Sequence, residues 1–383
     1  MNFIDLKRQY QAYRAEIDRA VSEVLESAGF IMGPKVQELE DRLASYVGAN
    51  RAIGVSSGTD ALLLALMAKG IGPGDRVITT PFTFVATAEV ISLLGAEPIF
   101  VDIEDGTMNI SPALIEQAAD QAEAEGRPAK GVIPVSIFGL CPEMDGINQL
   151  ARDRGMFVLE DGCQSFGATY KGRCSCGISE LAATSFFPSK PLGAYGDGGM
   201  VFSMDEDAAE RIRALRCHGE TARYQHQWIG TNARLDAVQA AVLLVKFSHF
   251  QEELQRRQAA ADRYFRLISE AGLEGRVRLQ EIPDHCQSVF AQFTIRIVPE
   301  AGKTNRDQVA RFLMERGIPT AIHYPRPLHL QPAFSYLGLK EGALPVAEKA
   351  CREVLSLPMH PFITLHEQEQ VVLALKEAVM GAG

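Results

Sequence analysis

Short apolar runs alternate with helical patterns between residues 51 and 161. The runs AIGVS, RVITT, EPIFVDI, GVIPVSIFG and MFVLED are apolar almost throughout, and a helical pattern follows each of the first four. Strands of this kind are buried on both faces, as in a parallel sheet that helices cover on either side. The pattern therefore predicts an α/β domain with a mostly parallel sheet.

Two amphipathic helices are predicted before the first of these strands. Apolar residues recur at three- and four-residue steps in residues 8–27 and again in residues 36–47. A longer helical pattern runs from Arg234 to about Glu270 and suits a connector between domains. We therefore place a large domain, with its N-terminal helical segment, at residues 1–245.

A different architecture is predicted beyond the connector. The segments QSVFAQFTIRIV and TAIHYP indicate strands, whereas RDQVARFLMERG, PVAEKACREVLSLP and EQEQVVLALKEAV indicate helices. Strands and helices mixed in this way are typical of a smaller α+β domain, which we place at residues 246–383.

Composition narrows the class of protein. A chain of 383 residues with 46% apolar and 22% charged residues suits a globular protein of two domains. The net charge of −10 argues against a general nucleic-acid binder.

No segment is long and apolar enough for a membrane helix, so we expect a cytoplasmic protein. The seven cysteines suit reduced thiols, and the Cys174 and Cys176 pair lacks the partners of a zinc site, so no metal is expected.

The segment from Ser56 to Asp60 lies between a predicted strand and a predicted helix. Unpaired N–H groups at a helix N-terminus, approached closely through Gly58 and Thr59, suit a phosphate. An ordinary serine or threonine N-cap explains the same residues. Taken alone, the segment does not distinguish the two.

Asp161 ends the predicted strand MFVLED. A carboxylate at this place could keep a heterocyclic ring nitrogen protonated, since a nearby opposite charge favours the charged form. A plain turn aspartate is the alternative.

Lys190 follows another predicted strand, in a loop rich in glycine and proline, SFFPSKPLGAYGDGG. Burial lowers the pKa of a lysine, and the neutral amine can attack an aldehyde to form an imine. A solvated loop lysine is the alternative.

These three features occur in the order found in fold-type-I pyridoxal-phosphate enzymes, and the chain closely resembles the DegT-type sugar aminotransferases. The resemblance covers essentially the whole chain, through IDLKRQY, GTDAL, TFVATAE, EDGCQSFGA, SFFPSKPLGAYGDGG, NARLDAVQAA, AIHYP and SLPMHP. It implies the fold of a fold-type-I pyridoxal-phosphate-dependent transferase, with pyridoxal 5'-phosphate as cofactor.

The resemblance also implies a role for individual residues. Lys190 would carry the cofactor as a Schiff base and act as nucleophile, acid and base, while Asp161 would pair with the ring nitrogen. The other implied cofactor contacts are the phosphate ligands Gly58, Thr59 and Ser185, the stacking ring of Phe84, Gln164 at the ring hydroxyl, and Asn232 at the phosphate of a neighbouring subunit. The active unit would thus be a homodimer. Asp197 stands where the family often has Glu.

The implied reaction transfers the amino group of L-glutamate to a nucleotide-linked keto sugar. Local detail resembles most the enzymes that aminate UDP-2-acetamido-2-deoxy-3-oxo-glucuronate for surface polysaccharides. Arg234 could bind a carboxylate through its bidentate fork, and His323 and Tyr324 could contact the sugar or its diphosphate. A subunit-interface arginine and a structural histidine are the alternatives at Arg234 and His323, and His218 is either a substrate-loop residue or an exposed turn.

Other functions remain open on the sequence alone. The sugar could be a 4-keto-6-deoxy or another 3-keto nucleotide sugar. A pyridoxal-phosphate lyase or dehydratase of this fold is disfavoured, because similar sugar dehydratases carry histidine in place of Lys190. A non-catalytic regulator would be expected to have lost Lys190 or Asp161, and both are present.

Overall fold

The structure, a computed structural model, describes residues 1–298 and 305–380. The end of the predicted small domain, residues 381–383, lies outside the described residues, as do residues 299–304. The strands are β1 (Arg51–Val55), β2 (Arg76–Thr79), β3 (Glu97–Phe100), β4 (Gly131–Val132), β5 (Phe157–Asp161), β6 (Thr169–Tyr170), β7 (Arg173–Cys174), β8 (Leu181–Ser185), β9 (Gly199–Ser203), β10 (Glu220–Ala222), β11 (Gln225–His226), β12 (Val277–Leu279), β13 (Cys286–Gln287), β14 (Phe293–Ile297) and β15 (Val354–Leu357).

The α-helices alternate with these strands in the first half of the chain. They are α1 (Leu6–Ser27), α2 (Pro34–Val47), α3 (Gly58–Ala68), α4 (Ala86–Leu93), α5 (Pro112–Ala124), α6 (Met144–Asp153), α7 (Glu206–Leu215), α8 (Ala237–Ser248), α9 (Phe250–Glu270), α10 (Arg306–Glu315), α11 (Pro345–Glu353) and α12 (Leu365–Met380). Short 3-10 helices cover Ile137–Gly139, Leu328–Leu330 and Pro332–Leu337. None of the helices in the described parts of the chain combines the length and the apolar character needed to cross a membrane.

A seven-stranded sheet forms the centre of the large domain, in the order β1-β9-β8-β5-β4-β2-β3. The neighbours from β8 to β3 pair in parallel, and β9 runs antiparallel to both β1 and β8. The mostly parallel α/β fold predicted from the sequence is confirmed. Parallel strands end at one edge of the sheet, so the loops that follow β1, β2, β5 and β8 gather there.

The C-terminal part has a sheet of its own. Strands β12, β14 and β15 form an antiparallel sheet whose apolar side chains share a core with α9, α10 and α12. This is the smaller α+β unit that the sequence predicts. The proposed boundary between residues 245 and 246 falls inside α8 and stays a prediction.

Several predicted elements are shorter than the sequence suggested. The connector is two helices that meet at His249, and PVAEKACREVLSLP ends its helix at Glu353 because the following apolar residues pair with β14 as β15. In TAIHYP only Ala321 forms a bridge, to Ser356, and Pro325, which has no N–H, follows. Tertiary pairing, which periodicity does not report, decided the boundary at Glu353.

Two further strand predictions were too long. In GVIPVSIFG only Gly131–Val132 is a strand, because the chain then turns into the 3-10 helix that contains Phe138. In QSVFAQFTIRIV the strand begins at Phe293, since the backbone N–H groups of Val289 and Ala291 donate to Gly139 and Phe138 instead.

Candidate active site

A cavity of about 470 Å³ lies at the carboxyl edge of the central sheet. The loops after β1, β2, β5 and β8 line it, and the C-terminal part of the chain closes it. Nine of the residues predicted for the site line this cavity: Gly58, Thr59, Phe84, Asp161, Gln164, Ser185, Lys190, His323 and Tyr324. The structure therefore brings together residues that lie up to 266 positions apart, from Gly58 to Tyr324.

The N-terminus of α3 opens onto the cavity. Ser57 is its N-cap, and the Ser57 hydroxyl accepts a hydrogen bond of 3.0 Å from the backbone N–H of Asp60. A Cβ added to Gly58 would lie 2.8 Å from the Cβ of Ser185, so only glycine lets the helix start so close to that side chain. The free N–H groups of the first turn, together with the hydroxyls of Thr59 and Ser185, suit a phosphate.

Asp161 is buried in the cavity wall at the end of β5. Its Oδ2 accepts a 2.7 Å hydrogen bond from the hydroxyl of Thr87, and its Oδ1 accepts one of 3.1 Å from the backbone N–H of Cys163. The Thr87 hydroxyl also lies 2.9 Å from that of Thr83. The carboxylate is thus held in one orientation as an acceptor.

Lys190 lies in a tight turn after β8. Its backbone N–H donates to the carbonyl of Phe187 at 2.9 Å, and the N–H of Ala194 donates to Phe186 at 2.7 Å. Burial lowers the pKa of the Lys190 amine, although the negative charge of Asp161 opposes this effect. A lowered pKa increases the fraction of neutral, nucleophilic amine at neutral pH.

Gln164 and Tyr324 join the two parts of the chain across the cavity. The Gln164 carbonyl oxygen accepts from the backbone N–H of Phe138 at 2.8 Å, and its amide nitrogen donates to the Tyr324 hydroxyl at 3.1 Å. The ring of Phe84 is 55% exposed, and its centroid lies 6.5 Å from that of Tyr324. An exposed aromatic face at a cavity mouth is available for stacking on a flat ring.

His323 reaches the same cavity beside Tyr324. Its Nδ1 lies 3.0 Å from the Ser356 hydroxyl, and burial, together with the charge of Lys190, lowers the pKa of His323 to about 4. The imidazole is therefore neutral at neutral pH.

Three residues singled out from the sequence lie elsewhere. Asn232 is exposed and forms a backbone bridge with Cys217, and Arg234 pairs through its backbone with Val55. Neither is among the residues that line the cavity of this chain. His218 is exposed at a positive φ, and its carbonyl oxygen lies 3.0 Å from Nδ1 of His226. Their proposed roles stay predictions.

The structure also adds residues that the sequence did not reveal. Thr87 holds Asp161, and Gln292 lines the cavity with a buried carbonyl oxygen that has no hydrogen-bond partner among the described residues. Thr87 stands one helical turn beyond Phe84 in the quoted TFVATAE motif, which is the signal that could have found it. Gln292 had no such signal, because it belongs to the distant C-terminal part.

No metal site emerges from the parts of the chain that the structure describes. They contain no group of three or more His, Cys, Asp or Glu side chains placed to hold an ion, and all seven cysteines are free thiols. What the cavity does combine is an anion-binding helix terminus, an oriented carboxylate and a desolvated lysine. This set fits a phosphorylated heterocyclic aldehyde.

The fold and the site together define an aminotransferase of the pyridoxal-phosphate type. A family model described as the DegT/DnrJ/EryC1/StrS aminotransferase family matches residues 11–376, and the chain belongs to this family. A protein of Pseudomonas aeruginosa named UDP-2-acetamido-2-deoxy-3-oxo-D-glucuronate aminotransferase is 46% identical, over 95% of this chain and 96% of the relative.

Two other similar proteins complete the comparison. A protein of Geobacillus stearothermophilus named as a pleiotropic regulatory protein is 45% identical, over 98% of this chain and 97% of the relative. The crystal structure of NtdA from Bacillus subtilis with bound cofactor PMP (pyridoxamine phosphate) superposes with a TM-score of 0.89 at 29% identity, over 99% of this chain and 85% of that chain. The family recognised from the sequence is confirmed.

Proposed function

We propose that this chain is a pyridoxal-phosphate-dependent aminotransferase that moves the amino group of L-glutamate to C3 of UDP-2-acetamido-2-deoxy-3-oxo-D-glucuronate. The observation that carries the proposal is the shared cavity of Lys190, Asp161 and the N-terminus of α3, which supplies an amine, a carboxylate and an anion site. The cofactor itself agrees with the PMP bound in the related structure.

The residues present fit this cofactor at each of its polar groups. The first turn of α3 with Thr59 and Ser185 would hold the phosphate, and Phe84 would stack on the ring. Asp161 would pair with the ring nitrogen, and the Gln164 amide would reach the ring hydroxyl. When bound, the cofactor would stabilise the electron pair that is left on the α-carbon of the amino donor when that carbon loses its proton.

Lys190 does the proton transfer in the proposed mechanism. The Lys190 amine, free once the amino donor has taken its place on the cofactor, would take the α-proton of glutamate and would give a proton back on the cofactor side. The lowered pKa of Lys190 suits a base at neutral pH. Asp161, held by Thr87 and by the Cys163 backbone N–H, would keep a proton on the ring nitrogen, because its negative charge favours the protonated form.

The choice of sugar rests on the relative from Pseudomonas aeruginosa and on the polar side chains of His323 and Tyr324 in the cavity wall. We propose that His323 and Tyr324 contact the sugar or its diphosphate and that Arg234 binds a carboxylate. Because Arg234 does not line the cavity of its own chain, we place it in a homodimer, where it would act with Asn232 on the neighbouring site. The product would feed O-antigen and lipopolysaccharide synthesis in the cytoplasm.

The substrate is tested by single-turnover assays with purified enzyme in its amino-loaded form. UDP-2-acetamido-2-deoxy-3-oxo-glucuronate should be converted to its 3-amino product, detected by mass, faster than 4-keto-6-deoxy nucleotide sugars. A preference for the 4-keto series would replace the proposed substrate and leave the aminotransferase assignment in place. The non-catalytic alternative, prompted by the relative named as a regulator, predicts no amino sugar from any substrate.

A further inference from the structure

A second, very small cavity lies behind Lys190. We call it the rear chamber; it is lined by Asp5, Gln9, Pro188, Lys190, Arg257 and His360, among others, and its volume is about 10 Å³. Lys190 lines both the rear chamber and the main cavity. A cavity of this size is at the lower limit of what can hold one water molecule.

Three side chains of the rear chamber each have one buried polar atom without a hydrogen-bond partner among the described residues. These atoms are Oε1 of Gln9, Nε of Arg257 and Nδ1 of His360, and all three residues are more than nine-tenths buried. Buried polar atoms are nearly always satisfied in proteins, by ordered water where protein groups do not reach them. Because all three residues line the same small chamber, one shared ligand could satisfy their unpartnered atoms.

Whether each unpartnered atom is a hydrogen-bond donor or an acceptor follows from the chemistry of its side chain and of the groups bonded to it. The amide nitrogen of Gln9 donates to both carboxylate oxygens of Glu253, at 2.8 and 2.9 Å. Since a carboxylate only accepts, the amide cannot be turned round, and Oε1 of Gln9 is the acceptor left over. Nε of Arg257 is a donor, and burial lowers the pKa of His360 to about 4, so its neutral ring can offer an acceptor at Nδ1.

We infer that one ordered water molecule occupies the rear chamber and accepts a hydrogen bond from the amine of Lys190 whenever that amine is not bonded to the cofactor. The water would donate to Gln9 and His360 and accept from Arg257, which leaves one lone pair for an N–H of Lys190. Each of its four hydrogen-bonding positions then has a partner. The structural part of this inference stands alone, whereas its link to catalysis rests on the proposed function.

Other titratable groups lie close to His360 and to Lys190 and also affect the pKa values of these two residues. The pKa of His360 is affected by the charges of Asp5, Arg257, Glu367 and Arg8. Lys190 lies close enough to interact with Asp161, Cys163 and His323. A water that accepts from Lys190 favours the protonated amine, so losing it should lower the pKa of Lys190.

A crystal structure of the holoenzyme, at a resolution that shows ordered water, tests the site directly. We expect one peak within hydrogen-bonding distance of Gln9 Oε1, Arg257 Nε and His360 Nδ1. Absence of a peak, or an anomalous signal that identifies chloride, would overturn the inference. The same map shows independently whether the cofactor is joined to Lys190, so failure of the proposed function is read separately.

A matched pair of variants tests the link to Lys190. His360→Phe removes the acceptor, whereas His360→Asn can keep a hydrogen-bonding atom near the Nδ1 position. The readout is the pH profile of kcat/KM for 2-oxoglutarate with the amino-loaded enzyme, followed by absorbance. Its limb for Lys190 should move about 0.5 to 1 unit lower in His360→Phe and stay in place in His360→Asn.

Thermal unfolding of both variants establishes that each is folded before the profiles are compared. Equal movement of the limb in both folded variants, or no movement in His360→Phe, would refute the water's role. Should His360→Phe fail to fold, the Gln9→Met substitution provides the test: it removes the Oε1 acceptor without adding a charge beside Lys190, so the limb should move in the same direction. An unmoved limb in that variant would equally refute the role.

Discussion

The hydroxyl of Thr87 donates a 2.7 Å hydrogen bond to Oδ2 of Asp161, across 74 positions of sequence. Thr87 lies in the first turn of α4, which follows β2, and Asp161 ends β5, so both stand at the carboxyl edge of the sheet. Together with the bond from the Cys163 backbone N–H to Oδ1, this bond fixes the direction of the carboxylate. The proposed pairing of Asp161 with the cofactor therefore depends on Thr87.

Replacing Thr87 by valine tests this dependence. The Thr87→Val enzyme should bind the cofactor about 10-fold more weakly, because one hydrogen bond to a charged group contributes about 1.5 to 3 kcal/mol, only part of it to binding. The dissociation constant is measured by titrating the apoenzyme with cofactor and following absorbance. Thr87→Ser keeps the hydroxyl and should bind as wild type; equal weakening in both would argue against the hydrogen bond.

Removing the charge of Asp161 should affect chemistry more than binding of the sugar. Asp161→Asn keeps the shape but loses the negative charge and one of the two acceptor oxygens, so we expect kcat for the glutamate half-reaction to fall about 10- to 100-fold. Stopped-flow absorbance with L-glutamate measures it. An unchanged rate would show that the carboxylate does not act on the ring.

Glycine at position 58 should be required for both packing and phosphate binding. The Cβ of Gly58→Ala would lie 2.8 Å from Ser185 Cβ and 3.0 Å from Cys163 Sγ, so the free energy of unfolding should fall by about 1 to 3 kcal/mol. Denaturant unfolding measures this loss. Gly72→Ala is the matched control, since nothing lies within 4 Å of its added Cβ, and it should unfold like the wild type.

Acid should release the contact between the two ends of the described chain. Arg8 donates to both carboxylate oxygens of Glu367, at 2.7 and 3.0 Å, and this pairing lowers the pKa of Glu367 to about 2. A lowered folded-state pKa stabilises the protein above the unfolded value of about 4.5, and the contribution is lost as pH falls towards 2.

The Glu367→Gln variant isolates that contribution. At pH 7 it should be about 1 to 2 kcal/mol less stable than the wild type, since Arg8 is partly exposed and solvent weakens the pair. Near pH 2 the two proteins should have similar stabilities. A stability difference that does not depend on pH would assign the effect to packing instead of charge.

Much of the large domain could be predicted because short apolar runs in the sequence indicate its strands. The run MFVLED is apolar up to its final carboxylates, and β5 ends at Asp161 as expected. The loop position of Lys190 followed from its glycine and proline neighbours. These features depend on a few adjacent residues, which a sequence displays directly.

The features that could not be predicted from the sequence depend on contacts between distant segments of the chain. The apolar residues of Val354–Leu357 suit a helix or a strand, and only the partner β14 decides between them. Gln292 reaches the site only because the folded C-terminal part brings it there, and the unpartnered atoms behind Lys190 are visible only in three dimensions. Pairing and burial of this kind leave no periodic trace in the sequence.

The covalent role of Lys190 is the central claim, and reduction with borohydride tests it most directly. The purified holoenzyme is reduced, digested and mapped by peptide mass, with a parallel sample first treated with L-glutamate. The cofactor should be found on the peptide that contains Lys190, and glutamate should remove it by converting the cofactor to its amino form. Attachment to another lysine, or none to Lys190 in a protein that still reacts with glutamate, would contradict the account.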